Sequence, residues 1–244
     1  MRTVESVNST IARLTARGLL GGRRTLLLLS LSVLLVSLAV LLRLAVGTDH
    51  GVTVDLLSVV ALGTIVPLLG LIVGTGAIGP EIDDGSIVYL LSKPVPRSTI
   101  VRTKWVVAAA CTVIFATVPT FVAGVAMSGT TAAIALGFGV GALVAGVAYS
   151  AIFLLLAVVS RHAVVIGLVY ALIWESLIGG FVPGARTLSV QQWALSVAGA
   201  VADDGVVDAD VPLVRAVVLL VVVTGAAVWY AGQRLRVLAL TGED

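Results

Sequence analysis

The sequence predicts an all-α integral membrane protein with six transmembrane helices. Three observations point there. Of the 244 residues, 59% are hydrophobic and only 11% are charged, against about 25% charged in an average soluble domain. The mean hydropathy is +1.15. The charges that exist cluster in short segments between long uncharged runs. A single soluble core of this size cannot hide so much apolar surface. An ordinary soluble enzyme, a disordered chain and a nucleic-acid binder are therefore excluded.

The elements follow in order. Val4, Val7, Ile11 and Leu14 repeat at helical spacing, with Arg13 and Arg17 one turn apart on the opposite face. This predicts an amphipathic helix over 1–22 lying on the inner membrane surface. Gly21-Gly22 then lets the chain bend into the first span. Arg23-Arg24 before a leucine run invites a signal-peptide reading. The apolar stretch is too long for a signal core, and no small-residue cleavage site stands out, so it reads as a retained span.

Thr25 to Leu42 and Leu56 to Gly79 carry no formal charge and supply spans one and two. Trp105 to Ser160 is 56 residues without Asp, Glu, Lys or Arg. As one helix it would be about 84 Å long, far beyond a hydrocarbon core of about 30 Å. It must be two spans, turning at the polar stretch Met127-Ser128-Gly129-Thr130-Thr131. His162 to Phe181 forms span five, interrupted by Glu175, and Ala216 to Gln233 forms span six. Barrel strands alternate in polarity, and these runs do not, so they are helices.

Six spans place both termini on one side. That side holds Arg2, Arg13, Arg17, Arg23, Arg24, Lys93, Arg97, Arg102, Lys104, Arg161, Arg234 and Arg236, which are 12 of the 15 basic residues. Basic residues collect on cytoplasmic loops, so both termini are expected in the cytoplasm, with the chain multi-pass in the cell membrane. Cys111, the single cysteine, has no partner for an internal disulfide. No catalytic, metal or cofactor-binding motif is present.

The outer loop over 182–212 contains Ser189 and Gln192 in capping-box spacing. A helix from about Val190 to Ala202 is expected, resting near the membrane interface with Trp193. The acids Asp203, Asp204, Asp208 and Asp210 lack calcium-loop spacing and read as a solvated acidic segment.

The inner loop over 80–104 carries more information. Three acids and four bases flank an apolar centre, Ile87 to Leu91. Such a centre docks on a membrane or on another protein. Pro94 and Pro96 stiffen its exit, and Ser98 stands where it can cap the next helix. Glu81, Asp83 and Asp84 solvate a helix end, pair with Lys93 and Arg97, or stand opposite basic residues on a partner. This segment resembles the cytoplasmic segment of ABC-2 class permeases. There an acidic stretch precedes Gly-Thr, an apolar stretch, a proline with a basic residue close behind, and a lysine opening the next span. Glu81, Gly85, Pro94, Arg97 and Lys104 match; Ser86 and Thr103 depart from the usual threonine and glycine. Trp174-Glu175-Ser176, Val182-Pro183-Gly184-Ala185-Arg186 and Leu188-Ser189-Val190 also fit that class.

The resemblance implies one permease domain over 1–244. It implies a second permease half, expected to be identical, and separate cytoplasmic ABC ATPase subunits holding ATP and Mg. It implies export as the direction of transport. Glu81, Asp83, Asp84, Gly85, Leu90, Lys93, Pro94, Arg97 and Lys104 would then form the ATPase-coupling segment. The chain contains no phosphate-binding loop and not even a Gly-Lys dipeptide, so it is not expected to be an enzyme.

Glu175 is the one acid inside an expected span, where ionised groups are costly. It reads as a pathway or gating residue, as half of a structural pair with Arg43 or Arg215 as candidate partners, or as an acid protonated by burial. Gly70 and Gly74, Gly137 and Gly141, and Ala142 and Gly146 have the spacing that permits close helix contact. Pro67 and Pro119 are candidates to kink spans two and three. Two rival readings are a membrane anchor or regulatory subunit of an ATPase complex, and an ion-driven carrier using Glu175. The carrier is weakened by the lone intramembrane acid and the lack of a clear inverted repeat.

Overall fold

The computed structural model describes residues 9–86, 95–128, 132–178, 186–202, 207 and 209–238, and every regular element among them is helical. Helix α1 (Ser9–Leu19) leads through Gly22, at φ +57°, into α2 (Arg23–Val46). Gly47, at φ +80°, closes α2 and turns the chain back. Both angles suit glycine because a Cβ would crowd the backbone there.

The second span is built from four pieces: α3 (His50–Asp55), a π segment (Leu56–Ile65), α4 (Val66–Gly76) and α5 (Gly79–Asp83). The π segment stops immediately before Val66-Pro67. Pro67 has no N–H and its ring collides with the carbonyl four residues back, so the preceding turn widens. Helix α6 (Arg97–Ser128), with Pro119 in its interior, and α7 (Ala132–Val159) form the central hairpin. Helix α8 (Ala163–Val169) runs into a second π segment (Tyr170–Ile178). Helix α9 (Val190–Ala202) and α10 (Leu213–Leu238) complete the order.

Five helices are long and apolar enough to cross a membrane: Arg23–Val46, His50–Asp83, Arg97–Ser128, Ala132–Val159 and Leu213–Arg236. The segment expected as span five is helical from Ala163 to Ile178 and is shorter than these. The break at Ser160-Arg161-His162 separates it from α7.

Helix α7 is the centre of the bundle and packs on α4, α6, α9 and α10. Its Phe138, Tyr149 and Phe153 are fully buried. Glycine allows this packing. A Cβ on Gly70 would lie 2.6 Å from the Tyr149 Cβ, and one on Gly74 would lie 2.9 Å from the Phe153 Cβ. A Cβ on Gly137 would lie 2.5 Å from the Ala198 carbonyl oxygen, and one on Gly141 would lie 3.0 Å from that of Ala194. These paired small residues therefore mark two helix crossings on α7. By contrast α2 and α10 turn apolar side chains outward, among them Leu34 and Val221. That is the exterior a bilayer requires, because lipid is as apolar as the side chains facing it.

One expectation needs correction and another holds in its bounds. In α1 the buried stripe is Ile11, Thr15 and Leu19, while Leu14 is exposed. The stripe faces α6 rather than following the Val4-Val7-Ile11-Leu14 series, and Val4 and Val7 lie outside the described residues. Helix α9 spans the residues expected of it and is buried against α7. Gln191, Gln192, Trp193 and Ser196 are all buried. Small residues on both helices let α9 sink to backbone contact, and Trp193 satisfies its indole N–H on the Thr187 carbonyl at 2.9 Å.

Candidate functional site

The inner segment begins where α4 ends. Ala77 and Ile78 turn the chain into α5, which carries Glu81. Lys104 lies about two turns into α6 and is 1% exposed. Its Nζ donates to the Glu81 Oε1 at 2.6 Å and to the Ala77 carbonyl at 2.8 Å. A buried ammonium demands such partners, because desolvation without them is costly. Glu81 thus pairs with Lys104 across 23 residues of chain, and among the described residues it forms no ion pair with Arg97. Helix α6 starts at Arg97, so Ser98 lies inside its first turn and does not cap it. The Pro96 carbonyl accepts from the Thr99 and Ile100 amides instead.

Asp83, Asp84 and Gly85 are exposed. Gly85 has φ +72°, which explains a glycine at this point of the segment. The Asp84 carboxylate accepts from the Ser86 amide at 3.0 Å. Hydrogen bonding to Ser86 holds its carboxyl below the ordinary value. Arg97 keeps one buried guanidinium nitrogen without a hydrogen bond among the described residues. Leu90, Lys93 and Pro94 lie outside the described residues. Of the nine coupling candidates, the structure therefore joins Glu81 and Lys104 directly.

Glu175 sits in the second π segment and is fully buried. Its Oε1 accepts from the Tyr170 hydroxyl at 2.8 Å and the Val190 amide at 3.1 Å. Its Oε2 accepts from the Ser189 hydroxyl and from the Gln191 amide at 3.3 Å. All four groups are donors, and two are orphan amides at the start of α9. Ser189 also accepts from the Gln192 amide at 3.3 Å, so the cap expected at Ser189 forms. Neither Arg43 nor Arg215 is the partner of Glu175. Arg43 donates to the Met127 carbonyl at 2.6 Å, and Arg215 is exposed. A helix N-terminus supplies the positive field that an arginine would otherwise provide.

The surroundings lock this cap in place. The Gln191 side chain donates to the Ser58 carbonyl at 2.7 Å, within the first π segment. Gly63 makes room for it: a Cβ there would lie 2.8 Å from the Gln191 Nε2. Tyr149 stacks on Phe153, and Phe153 meets Tyr170 edge-on, each pair with ring centroids 6.0 Å apart. Both π segments therefore meet the first turn of α9. Such widened turns commonly mark functional points in helices. Sequence reading singled out Glu175 and Ser189 separately. It missed Tyr170, whose five-residue spacing to Glu175 suits a π turn and not an α-helix, and it missed Gln191 and Ser58, which meet across 133 residues of chain.

A family model described as ABC-2 family transporter protein matches residues 9–196. The chain belongs to that family. As an ABC-2 transporter protein it is a multi-pass membrane protein and a permease component of membrane transport, a kind of subunit that is typically not itself catalytic. The matched range takes in the Glu81–Lys104 pair and Glu175 and ends inside α9. Permeases of the ABC-2 family generally work with an ABC ATPase subunit. No curated protein matches the chain.

Proposed function

We propose that this ABC-2 permease is one half of an exporter in the cell membrane. Its substrate moves at the expense of ATP hydrolysed, with Mg, on a separate ATPase subunit. The six-span arrangement with cytoplasmic termini, and a partner half identical to this one, belong to the same reading. The observation that carries it is the Lys104 latch. Glu81 on α5 and the Ala77 carbonyl at the end of α4 are both tied to α6 through one buried ammonium. A force applied between residues 80 and 104 would reach both flanking spans together, because neither can yield without breaking that pair. The exposed acids Asp83 and Asp84 and the Gly85 turn would face the ATPase, with Leu90, Lys93, Pro94 and Arg97 completing the contact.

Glu175 enters as a positioning residue. It holds α9 against both π segments, where a rearrangement of the spans would have to be accommodated. The experiment is co-purification with an ATPase subunit encoded beside the permease, followed by reconstitution in lipid. A stable complex is expected, whose ATP hydrolysis differs from that of the free ATPase and responds to an acid introduced by Leu90→Asp. Failure to associate would remove the reading. Association unaffected by Leu90→Asp would move the docking surface elsewhere.

A further inference from the structure

Apart from the latch and the Glu175 cap, a cavity of about 350 Å³ opens at the end of the bundle rich in basic residues. It lies between the start of α2, the α4–α5 junction and the Ser160–His162 turn. Its rim carries Arg24, Arg161 and His162, opposed by one carboxylate, Asp83. Its wall is apolar and includes Leu27, Val164 and Val165, which are 52%, 59% and 63% exposed. In a bundle of this composition, such side chains face hydrocarbon. Arg24 is held across the mouth by a hydrogen bond from its Nη1 to the Gly76 carbonyl at 3.0 Å. Glycine permits this approach, since a Cβ on Gly76 would lie 3.1 Å from that nitrogen. The bond takes one of the five guanidinium donors. Arg161 and His162 are exposed.

We propose that this cavity binds an anionic phospholipid of the adjoining leaflet. The phosphate would sit between Arg24 and Arg161, and an acyl chain would follow Leu27, Val164 and Val165. Each half of the site excludes a different rival. A soluble phosphate would use the arginines but leave the apolar wall uncovered. A zwitterionic lipid would cover the wall, but its own cation would compete at the arginines. Basic pockets between helices at the cytoplasmic surface favour anionic headgroups on electrostatic grounds. Asp83 repels further negative charge, so a singly charged headgroup suits the rim better than a multiply phosphorylated one. The assignment does not depend on the direction of transport or on the ATPase.

The test titrates the full-length permease in neutral detergent with dioleoylphosphatidylglycerol or dioleoylphosphatidylcholine and counts bound lipid by native mass spectrometry. Phosphatidylglycerol is expected to bind at the lower concentration. Arg161→Gln should weaken it about fivefold, the effect of one surface arginine, and leave phosphatidylcholine unchanged. Arg161→Lys should keep the preference, and Val164→Trp should weaken both lipids. Both positions are exposed, so the fold should survive these changes. Equal binding of the two lipids, or a preference untouched by Arg161→Gln, would overturn the proposal. Displacement of phosphatidylglycerol by glycerol 3-phosphate at similar concentration would overturn it too, and would mark a site for free phosphate esters.

Discussion

Glu175 and Ser189, fourteen residues apart, meet through a hydrogen bond from the serine hydroxyl to the carboxylate at the first turn of α9. The contact folds the chain back on itself after the short helical segment Ala163 to Ile178. An acid that looks anomalous inside an apolar run is thus the acceptor for a buried helix start. The cost of burying it is offset by four donors and by the field of α9.

Removing that acceptor should loosen α9. Glu175→Ala strands two amides and two hydroxyls, and each buried unsatisfied donor costs about 1–3 kcal/mol. A total loss of about 3 kcal/mol is expected in detergent unfolding, allowing for relaxation. Glu175→Gln keeps one acceptor oxygen and should lose about half as much. Wild-type stability in Glu175→Ala would show that α9 is held by packing alone.

The α7–α9 crossing gives a second test. Gly137→Ala places a Cβ 2.5 Å from the Ala198 carbonyl oxygen and 2.7 Å from the Ala202 Cβ. Backbone cannot step aside cheaply, so a loss of about 1–3 kcal/mol is expected. Gly225→Ala is the control, because nothing lies within 4 Å of its Cβ position. That variant should be neutral or slightly stabilising through helix propensity. Thermal unfolding of the two purified variants compares them directly.

The latch should respond asymmetrically. Lys104 is 1% exposed, whereas Glu81 is 36% exposed. Glu81→Gln leaves a buried ammonium short of its counter-charge, and about 2–4 kcal/mol of destabilisation is expected. Lys104→Met leaves a carboxylate with one buried oxygen on an otherwise part-exposed side chain, which can turn toward solvent, and should lose about 1 kcal/mol. The double variant should recover part of the loss seen in Glu81→Gln. Equal effects of the two single variants would argue against a buried pair.

Asp84 provides a pH test of the inner segment. Its carboxyl titrates below its ordinary value because hydrogen bonds from Ser86 favour the ionised form. Whatever this favours in the folded turn is complete above the ordinary carboxylate pKa and is lost as pH falls through the lower folded value. Ser86→Ala removes the hydroxyl and should shift the titration upward. Carboxyl carbon chemical shifts of labelled aspartate in micelles would follow it, and an unchanged titration would assign the effect to the backbone amide alone.

Much of the fold was legible because its causes are local or come from the bilayer. Uncharged runs must be helices in lipid, and Ser189 with Gln192 marks the start of Val190–Ala202 through contacts three residues apart. Paired small residues at four-residue spacing marked the helix crossings of α7 for the same reason. Two features were not legible. The first π segment depends on strain around Pro67 and on the reach of Gln191 to the Ser58 carbonyl. The buried face of α1 depends on where α6 lies, so the stripe shifted from Leu14 to Thr15 and Leu19.

By itself the sequence determined that this chain is a multi-helix membrane protein, where its long apolar helices run, and which acids and bases stand out from them. Those properties follow from composition and from neighbours within a turn or two. Only the tertiary structure decided that Glu175 belongs to the first turn of α9 and not to Arg43, that Lys104 belongs to Glu81, and that α9 is buried. A buried charge takes whichever donor or acceptor the helix crossings bring within about 3 Å, and those crossings are set by side-chain shape across the whole bundle.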